Sequence, residues 1–355
     1  MSVSAERSQT NSNSTDARLQ RLTSWVAEIF GDGSSQIAPA SADASFRRYF
    51  RITRGEQTWI AMDAPPEKED LRPYISIAGM LNEIGVNAPR ILERNIPEGY
   101  LLNTDLGSRT YLAELARPER APQLYADAMR ALVRIQAGGR GHANQLPAYD
   151  AQLLHREMRL FTDWFCARHL GLEVSAKDER HVQATFDTLA ASARGQTQVF
   201  VHRDYHSRNL MVGDGARYGA NPGILDFQDA VDGPITYDLV SLLRDCYVAW
   251  PVEQVRAGAL SFRSQARAAG LEVGTSEGQF LEWFDLMGVQ RHLKAIGIFA
   301  RLWHRDGKSG YLKDIPRTLN YVHTVAASYP QLTFLRDFIT ARILPIADRI
   351  TATQA

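Results

Sequence analysis

The sequence predicts an α+β protein of two lobes, a small β-rich one over residues 16–105 and a larger, mainly helical one over residues 106–355. Three observations predict it. Short aromatic and β-branched runs alternate with helical patterns as far as Thr104, helical periodicity dominates from Leu106 onward, and one compact strand-like segment, Gln198–Phe227, interrupts the helices. Such a division implies a cleft between the lobes.

Residues 1–15 are polar and rich in Ser, Thr and Asn, with no apolar centre, and are expected to form a disordered tail. Asp16 then reads as an N-cap; Leu19, Leu22, Val26 and Ile29 follow at helical spacing, and Gly31 closes the helix. Strands are expected at Phe46–Thr53 and Thr58–Asp63. Pro65-Pro66 breaks the chain before a helix from Lys68 to Ile84 closed by Gly85, and strands follow at Pro89–Glu93 and Tyr100–Thr104. The larger lobe carries predicted helices at 121–137, 151–169, 178–193, 235–248, 252–269, 278–304 and 331–350, with a Gly-, Asn- and Pro-rich loop at 138–150.

Composition narrows the function. Forty basic residues balance forty acidic ones, which argues against nucleic acid or an anionic membrane as the main partner, since both reward a basic excess. No apolar run is long enough to span a bilayer. Cys166 and Cys246 are the only two cysteines and lie in helical stretches, so a reduced, cytoplasmic protein is expected, with no obligate protein partner.

The chemistry concentrates in His202-Arg203-Asp204-Tyr205-His206-Ser207-Arg208-Asn209, entered from the apolar run Val199–Val201. An Asp followed five residues later by an Asn is the catalytic-loop pattern of kinases, and twenty-two residues after Asp204 the apolar run Ile224-Leu225 ends in Asp226. A hydroxyl nucleophile needs a carboxylate to take its proton. Nucleotide phosphates need a divalent cation on hard oxygen ligands. Alone, each residue reads as a cap or a turn former; together, at this spacing, they read as a site.

HRDYHSRN followed by LDFQD resembles the HGDxHxxN and DxxD pair of the aminoglycoside phosphotransferase and choline kinase families. That resemblance implies a protein-kinase-like two-lobed fold, with ATP and Mg²⁺ as cofactors. It makes Asp204 the catalytic base and Asn209 and Asp226 the metal ligands. It also makes His202 and His206 supports of the loop and Asp238 its brace, and gives Asp229 a secondary metal or substrate role. Tyr100–Leu106 resembles the family's hinge and nominates Asn103, Asp105 and Leu106 for the nucleotide, although Asp105 fits equally as a helix cap. The phosphate-covering position falls on Ser41–Arg48, nominating Ser45. The third-strand Lys of protein kinases is replaced by Met62, so another cation is required: Arg47, Arg48 or Lys68, with Arg48 ranked first.

The stretch 239–315 holds ten Lys and Arg against eight Asp and Glu, which gives no support to a polycationic substrate. Met287, Arg291, Lys294 and Ile298 share a helical face, so Arg291 and Lys294 are expected to meet an anionic group, with Gln290 a weaker candidate beside them. DASFRRYFR, AMDAPPEKED, FVHRDYHSRNLMV, LDFQDAVDGPITYDLVSLLRDCY and GIFARLWHRDGKSGYL resemble the bacterial anomeric amino-sugar kinases of cell-wall (peptidoglycan) recycling. The implied partner is a small amino sugar: N-acetylmuramate or N-acetylglucosamine, phosphorylated on its anomeric hydroxyl. A kinase for another small molecule (an aminoglycoside, choline or another sugar) is the nearest alternative, and a nucleotide-binding pseudokinase the next.

Overall fold

The computed structural model describes residues 16–42 and 46–347, so the expected tail and Ser45 lie outside the described residues. It divides into two compact units. One comprises the described residues up to Arg72 with Arg90–Asp105; the other comprises Pro73–Pro89 and the chain from Leu106 onward.

In the smaller unit, α1 (Ala17–Phe30) begins where Asp16 accepts the Leu19 N–H at 3.0 Å and ends at Gly31 in the left-handed conformation, φ 75°. Its buried Leu22 and Val26 pack with Phe50, Ile52, Ala61, Tyr100 and Leu102 into one core. That core lies on a five-stranded antiparallel sheet ordered β1-β2-β3-β5-β4, of β1 (Gln36–Ala42), β2 (Arg48–Arg54), β3 (Gln57–Asp63), β4 (Ile91–Asn95) and β5 (Tyr100–Thr104). Strand β1 is a correction to the sequence expectation, which began the sheet at Phe46. Its Pro39 and small residues conceal strand character, and the edge position with a bulge between Pro39 and Ser41 is what makes a proline tolerable there. In sequence, helix α2 (Leu71–Ile84) follows β3 and precedes β4, ending at Gly85, φ 81°; from Pro73 onward it belongs to the larger unit.

The larger unit is built around α9 (Glu277–Asp306), a helix of 30 residues. Packed against it are α5 (Ala151–Leu160), which continues as a π-helical segment Phe161–His169, α6 (Ala176–Arg194), α7 (Tyr237–Leu243), α8 (Val252–Ala268) and α10 (Ile315–Ser328). Helices α3 (Tyr111–Glu114), α4 (Ala121–Gly138) and α11 (Thr333–Phe338) complete it. Helix α10 was not expected. Ile315, Leu319, Val322 and Ala326 carry its buried face, and Pro316 stands in its first turn, where proline starts a helix rather than breaking one. The helix expected at 235–248 is shortened to α7, and the 138–150 loop holds a 3₁₀ segment, Gly139–Gln145. Two short ribbons, β6 (Gln198–Val201) with β9 (Val231–Pro234) and β7 (Leu210–Met211) with β8 (Gly223–Ile224), frame the motif residues. No helix among the described residues is long and apolar enough to cross a membrane.

Candidate active site

Strand β6 delivers the chain to His202, and β7 takes it away after Asn209. Between them the loop is held by carboxylates from α7 and beyond. Asp238, fully buried at the start of α7, accepts the N–H groups of His202 at 2.6 Å and Arg203 at 2.9 Å. Asp245 accepts the Ser207 N–H at 2.9 Å. Burial pushes the Asp238 carboxyl up to about 7 against the pull of those two N–H groups. Arg203 has φ 77° and Asp226 φ 63°, conformations that non-glycine residues rarely hold; Arg203 directly precedes Asp204, and Asp226 is itself the second acidic motif position.

Asp204 projects from this loop with 38% of its side-chain surface exposed, and His206 Nε2 stands 4.0 Å from Oδ1. Burial would raise its pKa; the charges of Lys294, of His206 when it is protonated, and of Arg291 and Arg203 outweigh that and hold the carboxyl below the ordinary aspartate range. His202 Nδ1 accepts the Asp204 N–H at 3.2 Å, and burial lowers the imidazole to about 4, so it is neutral at pH 7. Burial also lowers His206. His202 is thus tied to the loop by a hydrogen bond, whereas the His206 ring packs edge-on against Tyr247, centroids 5.4 Å apart.

Asn209 Nδ2 donates to the Asp204 carbonyl at 3.1 Å and to Asp226 Oδ2 at 3.1 Å. With its nitrogen engaged, the amide oxygen is the atom left for a cation. Gln228 Nε2 donates to Asp226 Oδ1 at 2.9 Å and bridges towards Asp229 Oδ2 at 3.4 Å. No group of three His, Cys, Asp or Glu side chains among the described residues could hold a metal by itself. The adjacent hard oxygens of Asn209 and Asp226 fit magnesium, which takes one or two protein ligands and completes its shell with water and phosphate.

Sequence reasoning missed the residue that organises the neighbouring cations. Glu157 of α5, 5% exposed, accepts from Arg203, from the Tyr149 hydroxyl and from Lys294 Nζ at 3.2 Å. Burial alone would raise its pKa, yet Lys294, Arg203 and the Tyr149 hydrogen bond bring it below the ordinary value. On an amphipathic helix a glutamate looks like a solvated charge, so the sequence holds no signal for this role. Lys294 also donates to Tyr237 Oη at 3.0 Å. A cavity of about 620 Å³ in the larger unit is lined by Glu157, Arg203, Gln228, Asp229 and Lys294, among others. Arg291 and Gln290 are not in its wall. Arg291 is buried with Nη1 3.7 Å from Cys246 Sγ, and Gln290, fully buried, donates to Tyr149 Oη at 3.2 Å. Helix α9 reaches this region because Gly297 lies against the backbone of Leu160, where a Cβ would come within 2.2 Å of the Leu160 carbonyl carbon.

The smaller unit rearranges the expected nucleotide residues. Arg48, ranked first for the phosphates, stands opposite Asp63 in the β2–β3 register and donates to Asp63 Oδ2 at 3.0 and 2.5 Å, with Asp16 a further partner. Its charge is therefore engaged by two carboxylates of its own unit. Arg47 lies 3.9 Å from Glu69, and Lys68 Nζ sits 4.5 Å over the Phe46 ring. Asp105 receives a bidentate pair from Arg51 at 2.7 and 3.1 Å, a β2 residue the sequence did not nominate. Met62 is fully buried, as an apolar residue in the lysine position requires, and Leu106 is buried at 6%. Asn103 is 1% exposed, and neither its Nδ2 nor its Oδ1 has a hydrogen-bond partner among the described residues.

Residues 36–272 match the phosphotransferase enzyme family. The chain belongs to that family. An N-acetylmuramate/N-acetylglucosamine kinase of Pseudomonas aeruginosa is 45% identical over 338 residues, covering 92% of this chain and 98% of that protein. The Pseudomonas putida kinase of the same name is 42% identical over 334 residues, covering 91% and 96%. Among solved structures, the choline kinase LicA of Streptococcus pneumoniae superposes with a TM-score of 0.59 at 11% identity, covering 88% of this chain and 99% of that one. The shared fold is the protein-kinase-like fold of small-molecule phosphotransferases, and this phosphotransferase is a kinase.

Proposed function

We propose that this phosphotransferase is an ATP-dependent amino-sugar kinase that phosphorylates the anomeric hydroxyl of N-acetylmuramate and N-acetylglucosamine, giving the sugar 1-phosphate for reuse in cell-wall recycling. The observation that carries the reading is Asp204, a half-exposed carboxylate held ionised by Lys294 and Arg291 beside the Asn209–Asp226 pair. The substrate class comes from relatives that match it along nine-tenths of its length. Two buried free cysteines suit the reducing, nucleotide-rich cytoplasm.

In this reading the sugar hydroxyl hydrogen-bonds to Asp204, which aims it at the γ-phosphorus and receives its proton as the O–P bond forms and ADP leaves. Asn209 and Asp226 would hold Mg²⁺, which neutralises phosphate charge when bound. His202 Nδ1 is already engaged by the Asp204 N–H, so the exposed Asp204 carboxylate is the acceptor assigned to the sugar hydroxyl. Asn103 and the β5 backbone are the assigned contacts for the nucleotide base.

The test is product analysis with ATP, Mg²⁺ and a panel of amino sugars, using phosphorus–proton NMR coupling. A 1-phosphate made by wild type, and a loss of at least about a thousandfold in kcat for Asp204→Asn with nucleotide binding retained, is expected. A 6-phosphate product, or near wild-type turnover in Asp204→Asn, overturns the reading.

A further inference from the structure

The wall of the cavity in the larger unit is cationic beyond what the catalytic residues explain. Four cations, Arg156, Arg203, Lys294 and Arg301, face two carboxylates, Glu157 and Asp229. Arg203 and Lys294 are already paired with Glu157. Arg156 and Arg301 have no hydrogen-bond or ion-pair partner among the described residues, and Arg301 Nε is buried with nothing to donate to. Burial and the nearby charge of Arg305 lower the Arg301 pKa, so its positive charge is under-compensated where it stands.

The geometry also connects these two arginines to the base. Lys294, Ile298 and Arg301 lie at helical spacing along one face of α9 and all line the cavity. Lys294 is the cation with the largest charge effect on Asp204, and Arg203 precedes Asp204 in the chain. Arg301 is therefore two turns, about 10 Å along the helix axis, beyond a residue that acts on the base. The reacting hydroxyl and the lactyl carboxylate of N-acetylmuramate sit on different ring carbons, so a reader of the carboxylate stands away from the base, as Arg301 stands away from Lys294 along α9.

We propose that Arg301, assisted by Arg156, reads the lactyl carboxylate of N-acetylmuramate in this cavity, in place of the more deeply buried Arg291. This deepens the proposed function and rests on it. A guanidinium with a free N–H edge offers a carboxylate the fork geometry that a lysine cannot, and two such groups on facing helices α5 and α9 discriminate for the charged sugar. N-acetylglucosamine, which has no carboxylate, occupies the same site without that contact.

The experiment measures kcat/KM for both sugars in wild type, Arg301→Met and Arg156→Met, and titrates each protein with N-acetylmuramate, N-acetylglucosamine and inorganic phosphate by calorimetry. Arg156 is exposed, so its variant keeps the test informative if Arg301→Met folds poorly. The expected result is a loss on N-acetylmuramate about ten- to a hundredfold larger than on N-acetylglucosamine, mainly in KM, with the calorimetric preference for the charged sugar lost in parallel. Equal losses on both sugars, or none on N-acetylmuramate, overturn the assignment while leaving the kinase reading intact. Phosphate binding that disappears in both variants without a change in sugar preference makes the cavity a free-anion site and also overturns it. Wild type that neither phosphorylates nor binds either sugar overturns the proposed function and the cavity assignment together.

Discussion

Lys294 Nζ and Glu157 Oε1 lie 3.2 Å apart between α9 and α5, with 10% and 6% of their side-chain surfaces exposed. Glu157 holds Arg203 at the same time, so one buried carboxylate holds two of the cations whose charge acts on Asp204, the proposed base. Glu157→Gln leaves both cations without their counter-charge, and breaking a buried pair costs about 3–5 kcal/mol. The sign with pH follows from the depressed folded pKa of Glu157. Its contribution is present above the unfolded value of about 4.3 and is lost as pH falls through the folded value. Urea unfolding of wild type and variant should show the full difference at pH 7 and a shrinking one below about pH 4.3; a difference independent of pH would show that Glu157 acts by packing alone.

Asp226→Ala and Asn209→Ala separate the two assigned metal ligands. A carboxylate brings a full charge to the metal, whereas an amide brings a dipole. Asn209 also holds the Asp204 carbonyl at 3.1 Å, so its loss loosens the catalytic loop as well. Calorimetric titration with Mg²⁺–ATP should show a loss of more than about tenfold for Asp226→Ala and a smaller one for Asn209→Ala. Unchanged magnesium-dependent binding in Asp226→Ala would remove it as a ligand.

How far the sequence reaches depends on where each partner sits. That the chain from His202 to Asn209 lies between strands and comes beside Asp226 was legible because its spacing is local and short strands flank it. Helix α1 was readable from its Asp16 cap and Gly31 stop. Strand β1 was not, because Pro39 and small residues satisfy an edge position that propensity does not describe. Glu157 and Arg301 were invisible for another reason. Their roles depend on α5 and α9 meeting at Leu160 and Gly297, far apart in sequence, and no periodicity encodes which charge on a helix will be desolvated by such a meeting. Arg48 shows the converse case: nothing in the sequence signals that a cation near the expected phosphate loop pairs with the carboxylate across its own ribbon.

Asn103 tests the smaller unit. A buried amide with both polar atoms unpaired is costly unless a ligand completes it. Asn103→Leu is expected to raise stability of the nucleotide-free protein by about 1 kcal/mol and to weaken ATP binding several-fold. Titration with ATP and GTP beside a urea unfolding curve reads both effects. Unchanged affinity for both nucleotides would show that Asn103 does not touch the base.

The last prediction concerns the charge that keeps Asp204 ready. Burial raises its pKa and the largest opposing contribution is the Lys294 ammonium, with His206, Arg291 and Arg203 behind it. Removing that charge must move the Asp204 pKa upward, because a nearby cation favours the carboxylate form. At an acidic pH the fraction of enzyme holding an ionised base then falls, and the acid limb of kcat/KM moves towards neutrality. Lys294→Met should show this displacement, while Lys294→Arg, which retains the charge, should keep the limb near its wild-type position. Glu157 remains paired with Arg203 and Tyr149 in the Met variant, so the local scaffold is preserved while the charge is lost. The measurement is a pH profile of kcat/KM on N-acetylglucosamine, a substrate without a carboxylate of its own to titrate. An acid limb that stays in place in Lys294→Met would show that the ammonium does not set the ionisation of Asp204, and that Arg203, Arg291 and His206 suffice.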